Sequence, residues 1–427
     1  MRRKFQDKQS QPLESQEPKA VVPPPSTMHH SNSKKVTPSH GHYLPQLCRP
    51  ILWYLLLAFV LLTFLHYYKQ APTSNLPVLS TMPSISRTAI CLVGGARRFE
   101  LTGPTILEHV LNVLPEADLF VHSNLDENTF KLALLRSAPR VTEMRIRRPV
   151  RFRETEGHMR LLSAGSSPNG IQGLLQYFDL VEGCLNMIAA YETQGNFTYD
   201  WILRTRVDGY WTGPLDLKAF KTDSYVVPEG SRYGGLNDRL GIGNRSISDV
   251  ALSRLSLLPN LASAGFSDLN SESAFHAQLK VFNIPAEELQ FPFCILSDRQ
   301  YKYPPSGDIA PVASIASPGP LSGAKCRPCV PHCKGECIEK LGPEKWLGWT
   351  EWRNGSLELC DGSQPWQEGW EDFFDKVAGK VTADMRLKVK EMTTEVCLQE
   401  MTGLKRKAGR WNGPDPIEIC NLGSTTE

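Results

Sequence analysis

The chain has 427 residues, 41% hydrophobic and 22% charged, enough for two or three packed domains. Lys and Arg number 47 against 45 Asp and Glu, a net charge of +2 that gives no electrostatic case for a nucleic-acid partner. The charge is uneven: residues 1–49 hold eight basic and three acidic side chains, leaving 39 basic against 42 acidic in the rest.

Residues 1–49 are rich in Pro, Ser, Gln, His and Lys and lack apolar periodicity, so they read as a disordered cytosolic tail. Cys48, at its end, is either a plain thiol or an S-acylation site. Ile51 to Tyr68 (ILWYLLLAFVLLTFLHYY) contains no Asp, Glu, Lys or Arg. At ~1.5 Å per residue this run is about 27 Å long, the thickness of a thin bilayer core. Trp53, Tyr54, Tyr67 and Tyr68 stand at its two ends, where amphipathic rings favour the headgroups. Residues 50–68 are therefore expected to be a single-pass signal anchor. Lys34, Lys35 and Arg49 before it outweigh Lys69 after it, which orients the N-terminus to the cytosol and the main domain to the lumen. The short span favours the Golgi membrane.

Past a Pro/Ser/Thr-rich stem at 69–86, the pattern changes. Thr88 to Val93 (TAICLV) is an apolar run ending at Gly94-Gly95, the signature of a buried strand entering a loop. Pro104 to Leu114 has helical spacing, Asp118 to His122 (DLFVH) reads as a second strand, and Met144 to Ile146 as a third. Ile171 to Tyr191 is a long amphipathic helix, followed by strands at Tyr199 to Arg206 and Ser224 to Val227. Strands alternating with helices predict an α/β domain over 87–303, its sheet mostly parallel and flanked by helices. A Pro/Gly/Ser-rich linker is expected at 304–323, then a small Cys/Trp-rich C-terminal module at 324–427 with a long helical segment from Glu371 to Met401.

Ten of the eleven cysteines follow the apolar run, and eight lie between Cys294 and Cys420, which suits an oxidising compartment. Cys294, Cys326, Cys329, Cys333, Cys337, Cys360, Cys397 and Cys420 form an even set of disulfide candidates. Zinc is the weaker reading of the cluster from Cys326 to Cys337, because four-sulfur sites come as two separated pairs. Cys91 and Cys184 then read as buried free thiols. Asn196, Asn244 and Asn354 open N-glycosylation sequons on the same side of the membrane. Trp346, Trp349 and Trp352 recur every three residues and read as core of the small module rather than a sugar-stacking face.

The stretch DWILRTRVDGY, Asp200 to Tyr210, carries the chemistry. Alternation along a strand puts Arg204 and Arg206 on one face, with Asp208 where the strand turns into a loop. Ligands of open α/β sheets bind beyond the carboxyl ends of strands. Two guanidiniums and a carboxylate there suit a diphosphate, with Asp208 as a holder of Mn²⁺ or Mg²⁺. The plain alternative is an Arg–Asp ion pair closing the strand. Such a pair locked beneath the surface, with no cleft beside it, would remove the enzymatic reading.

The order from Ala89 to Glu272 resembles glycosyltransferases of the GT-A type, which act on nucleotide-diphosphate sugars. Ala89 to Arg98 (AICLVGGARR) is similar to their opening strand and Gly-rich loop, Asp118 to His122 to their second strand, and Tyr199 to Asp208 to the segment bearing their Asp-x-Asp motif. Asn237 to Gly243 and Ser271 to Phe275 resemble later blocks of the same group. The whole chain, including the cysteines from Cys326 to Cys337 and the segment Gly348 to Cys360, resembles a family of plant type II membrane proteins. The first resemblance implies a GT-A-like fold, a nucleotide-sugar donor, a glycan or glycoprotein acceptor and association with other Golgi transferases. Residue by residue it implies that Gly94, Gly95 and Arg97 approach the nucleotide and that Arg204, Arg206 and Asp208 flank the diphosphate. Asp238 would contact sugar or acceptor, and Glu272 or Asp268 would serve as general base. One departure stands out: Arg206-Val-Asp208 occupies the place of Asp-x-Asp, so either other ligands complete a metal site or arginine supplies the charge itself. A non-catalytic, glycan-binding lumenal protein of the same shape is the alternative function. A glycan on Asn244 would also crowd any site built around Asp238.

Overall fold

The computed structural model describes residues 87–167, 169–301, 311–340 and 357–424. The expected tail, anchor and stem, the sequon at Asn354 and the tryptophans from Trp346 to Trp352 lie outside the described residues. No helix among the described residues is long and apolar enough to cross a membrane.

Among the described residues, fourteen strands build two sheets: β1 (Thr88–Val93), β2 (Asp118–Asn124), β3 (Glu143–Arg147), β4 (Trp201–Arg206), β5 (Gly209–Trp211), β6 (Tyr225–Pro228), β7 (Leu240–Asn244), β8 (Ala286–Leu289), β9 (Phe293–Leu296), β10 (Pro311–Ser314), β11 (Lys325–Arg327), β12 (Cys333–Lys334), β13 (Glu358–Asp361) and β14 (Arg410–Asn412). The main sheet runs β14-β3-β2-β1-β4-β7-β6-β8, with only β7 opposed to the rest. This is the mostly parallel α/β sheet that the alternating elements predict.

Strand β1 shows why six apolar residues run without a break. Ile90 and Leu92 enter one core with Phe99, Ile106, Leu119 and Leu203. Ala89, Cys91 and Val93 enter the opposite core with Val181, Leu185 and Ile188 from the long helix Gly170–Gly195. A strand covered on both faces needs no polar alternation, and each buried aliphatic side chain stabilises by about 1.5–3 kcal/mol. The long helix stops at Asn196, whose φ of +49° is the left-handed conformation asparagine tolerates as a helix end.

The second sheet, β12-β13-β10-β11-β9-β5, begins where β4 leaves the first. After Arg206 the chain bends through Val207 and Asp208 and re-enters as β5, paired to β9. The expected separation of 87–303 from 324–427 is not what the strands do. Strand β14 extends the main sheet beside β3, while β10, β11 and β13 build the second sheet together with β9 and β5. Met401, Leu404 and Ile419 enter the same core as Ile90. The described residues form one compact unit, because the C-terminal segments supply strands to both sheets. The helical stretch Glu371 to Met401 is three helices, Trp370–Ala378, Lys380–Lys390 and Thr394–Lys407, broken first at Gly379 with φ +80°.

The eight candidate cysteines pair as Cys294–Cys326, Cys329–Cys360, Cys333–Cys337 and Cys397–Cys420. Cys91 and Cys184, expected to be free thiols, are also joined. Strand β1 turns Cys91 toward the long helix, and the helix turns Cys184 back, with Cα atoms 6.1 Å apart. That separation lies in the range a disulfide spans.

Candidate functional site

In the order β3-β2-β1-β4, the chain winds outward from β1 through β3 and then returns to β1's other side, so the topological switch lies between β1 and β4. Their carboxyl ends meet: Val93 is level with Arg206, and the Val207 amide donates to the Val93 carbonyl at 3.0 Å. Open α/β sheets bind ligands at such a point. Gly94 is required there, since its φ is +128° and a Cβ would sit 2.9 Å from the Val207 Cγ2. Gly95 faces the Asp126 carboxylate, whose proton affinity is raised by burial. Arg97 is exposed, and its carbonyl accepts from the Lys131 ammonium at 2.8 Å.

Alternation along β4 puts Arg204 and Arg206 on one face, the side on which Ile202 meets the long helix. The two arginines differ in depth. Arg204 is buried, donating to the Tyr177 hydroxyl and to the Asp238 carbonyl, so it ties the helix and the β7 lead-in to the sheet rather than facing a ligand. Arg206 closes on Asp208 with two hydrogen bonds, Nε to Oδ1 at 2.8 Å and Nη2 to Oδ2 at 2.6 Å. This is the ion pair foreseen as the plain alternative. It is not beneath the surface, because the two side chains are 31% and 27% exposed. Burial works against the Arg206 charge, yet Asp208 more than offsets it and holds the proton above the ordinary arginine range.

Around this pair the sheets deliver further cations. Arg239, just before β7, meets Glu272 at 3.4 Å and lies 5.3 Å from the centre of the Tyr233 ring. Lys325 opens β11 level with Ile295 of β9, which is level with Gly209 of β5, so one row of the second sheet joins Lys325 to the residue after Asp208. Its ammonium stands 5.0 Å from the Tyr301 ring and 5.5 Å from the Tyr233 ring. Burial, then Arg239 and Arg299, push Lys325 down to about 7, with Glu272 opposing and Arg206 adding to the push. Glu272, in the first turn of the helix Ser271–Val281, is raised by burial and then by Asp238, with Arg239 opposing.

Asp238 does not reach this space. Its carboxylate accepts from the Ser271 hydroxyl and lies 3.9 Å from Arg254, both ionic side chains being at most 3% exposed. Burial opposes its charge, but Arg254 and Arg204 outweigh burial and hold the carboxyl below its ordinary range. It braces the helix that carries Glu272. Asp268 is exposed with φ +57° and outside the cluster, and Asn270 with Ser273 forms the capping box that the helix-start pattern suggests. The glycan conflict resolves by geometry. Asn244 pairs with Trp201 at the far end of β4, whereas Leu240 pairs with Thr205 beside the site, about 13 Å away at ~3.3 Å per residue. Asn244 caps the helix Arg245–Leu252 and donates to the Thr222 carbonyl at 2.8 Å, while Asn196 is exposed.

The residues fit a divalent metal poorly. Both Asp208 oxygens are taken by Arg206, and Glu272 is taken by Arg239. Among the described residues no three His, Cys, Asp or Glu side chains come together as metal ligands would. Three surface clefts lie elsewhere, one of them beside His109, Trp211 and Thr212, and none is lined by Arg206, Arg239 or Lys325. Arg239 and Lys325 went unseen in the sequence. Arg239 was legible as the neighbour of Asp238, but Lys325 sits among cysteines and only the register of the second sheet brings it here.

No curated protein matches the sequence. Among solved structures, mouse xyloside xylosyltransferase 1 in its apo form aligns at 12% identity over 48% of this chain and 84% of that one, with a TM-score of 0.32. The span that builds both sheets and their cationic junction is matched as a whole: residues 83–426 fit the family "Domain of unknown function (DUF7796)", and the chain belongs to that family.

Proposed function

We propose that this protein is a Golgi type II membrane glycosyltransferase with a GT-A-like lumenal domain, moving a sugar from a nucleotide-sugar donor to a glycan or glycoprotein acceptor. The observation that carries the reading is the cation-rich junction at the carboxyl ends of β1 and β4, where Arg206 and Asp208 stand part-exposed beside Arg239 and Lys325. The sequence resemblance to GT-A enzymes supports the same location for the diphosphate. In the reaction, an acceptor oxygen bonds to the anomeric carbon as the bond from that carbon to the diphosphate breaks. The electron pair leaves with the nucleoside diphosphate, and the hydroxyl proton passes to a base. Glu272 suits that role better than Asp238, because burial raises its proton affinity while Asp238 is held ionised by Arg254 and Arg204. Guanidinium and ammonium groups near the departing diphosphate supply the charge stabilisation the step needs.

Closure of Arg206 on Asp208 favours a second reading, a lumenal glycan-binding or scaffold protein of the same shape that works beside other transferases. The full chain, purified in detergent, should be screened against nucleotide sugars with and without Mn²⁺. Transfer or hydrolysis that Arg206→Ala and Asp208→Ala abolish supports the enzyme. Glycan binding with no turnover of any donor supports the second reading.

A further inference from the structure

We propose that Arg148, Arg151 and Arg153 form an anion-binding strip beside the junction of β1 and β4, and that it receives a glycan acceptor bearing carboxylates, as a chain of uronic acids does. The inference rests on the transferase reading and names the chemical class of the acceptor.

The segment Arg148 to Thr155 leaves the carboxyl end of β3, on the same edge of the main sheet as Gly94 and Arg206. It is neither helix nor strand, and Pro149 keeps Arg148 out of the helical region. Two glutamines one turn apart on the long helix fasten its backbone. The Gln172 side chain accepts from the Phe152 amide at 3.0 Å and donates to the Phe152 carbonyl at 2.7 Å, and Gln176 donates to the Val150 carbonyl at 3.1 Å. Phe152 packs onto the core that holds Leu161 and Leu175, while Arg148, Arg151 and Arg153 are exposed. Neighbouring arginines are matched: Arg145 by Glu143 at 3.6 Å, Arg147 by Asp179 at 2.5 Å and Arg160 by Glu156 at 3.5 Å. Among the described residues Arg148, Arg151 and Arg153 have no such match, and Glu154 beside them accepts from Gln172 at 2.8 Å. Guanidinium groups pair carboxylates bidentately and stay charged at any physiological pH, so this held row of cations is complementary to a polymer of acids. The fastening helix also borders the junction: Gln176 adjoins Tyr177, whose ring stands 5.8 Å from the Arg206 guanidinium. One helix thus carries both the strip and a wall of the donor site. A membrane surface fits less well, because the segment's aromatic side chain is turned into the protein and only Pro149 and Val150 are left as exposed apolar groups, too small a face to insert into lipid.

The test is equilibrium binding to the full chain, held in phosphatidylcholine nanodiscs, of an oligogalacturonate, of the same oligomer with its carboxyls methyl-esterified, and of phosphatidylserine vesicles. Uridine, guanosine and adenosine diphosphates are measured separately to report on the junction. The native chain should bind the acidic oligomer at least about tenfold more tightly than its ester. Arg148→Gln, Arg151→Gln and Arg153→Gln, made together and shown by circular dichroism to fold, should weaken the acidic oligomer by about tenfold or more, as loss of charge-assisted contacts does. Nucleoside diphosphate binding should stay within about twofold of native in that variant. Equal binding of acid and ester, acid binding that the folded triple variant leaves unchanged, or capture of the vesicles in preference to the oligomer each overturns the strip; the transferase reading then stands or falls on the diphosphates alone. A folded native chain that binds no diphosphate and no oligomer overturns both.

Discussion

Replacing Lys325 with methionine removes one cation from the junction and keeps an unbranched stem against Tyr233 and Tyr301. The lysine's ordinary value of 10.5 falls to about 7 in the folded chain, through burial first and then Arg239 and Arg299. At about 1.4 kcal/mol per pH unit, a fall of roughly 3.5 units means the folded state is about 5 kcal/mol less hospitable to the ammonium than the unfolded one. Because the folded value is the lower, the unfolded chain binds more protons between pH 7 and 10.5, and stability rises with pH across that window. Between pH 6 and 9 the native chain should gain about 2–3 kcal/mol from this group, a gain the methionine variant lacks. Among the described residues, Arg206, Arg239, Arg299, Glu272, Tyr233 and Tyr301 act on Lys325; they are common to both proteins, so the difference between the two isolates the lysine. Urea unfolding at four pH values provides the measurement. Lys325→Met should be the more stable at pH 6, with its advantage shrinking steadily toward pH 9. An advantage that stays flat to within about 0.5 kcal/mol over that range would refute the crowding of cations at Lys325.

The Cys91–Cys184 bond should appear as a cross-linked peptide in non-reducing digests, and changing both residues to serine should cost about 2–5 kcal/mol; free-thiol labelling of either residue in the native protein would count against it. In secretory expression Asn196→Gln should remove one glycan's mass. Asn244→Ala should cost about 0.5–2 kcal/mol in unfolding, since the loss falls on a helix cap. Gly94→Ala should cost at least about 1–3 kcal/mol and weaken diphosphate binding with it, because the loop must move off Val207; an unchanged midpoint would show the loop to be looser than its φ of +128° indicates.

What the sequence revealed and what it hid divide along locality. Thr88 to Val93 was legible because both its faces are buried, so apolar character alone marks it. Asp208 was legible because a strand ending in charge is unusual and strand ends are where such folds bind. Strand β14 was not, since three residues, Arg410 to Asn412, are too few to carry a period, and their place beside β3 is set by packing of Met401, Leu404 and Ile419. Cys91 and Cys184 are 93 residues apart, and no spacing rule reaches across a whole α/β crossover. Lys325 was hidden for the same reason: its neighbours are fixed by pairing with Ile295, a fact of register and not of composition.

The exchange of a carboxylate for a guanidinium at position 206 can be read as a matter of charge, and charge can be counted. In the native chain Arg206 takes both oxygens of Asp208 and Arg239 reaches Glu272, so neither carboxylate is open to an ion. Arg206→Asp removes one cation and adds one anion, a loss of two positive charges. It also frees both oxygens of Asp208 and sets a second carboxylate two residues away, the arrangement that a hard divalent cation prefers. A single Mn²⁺ would restore the missing two charges. Pyrophosphate should therefore bind the variant at least about tenfold more tightly in Mn²⁺ than in EDTA, while the native chain shows no such preference. If Mn²⁺ helps the native chain as much as the variant, the arginine is not standing in for the ion. If it helps neither while both are folded, the charge at this junction is not what receives the phosphate.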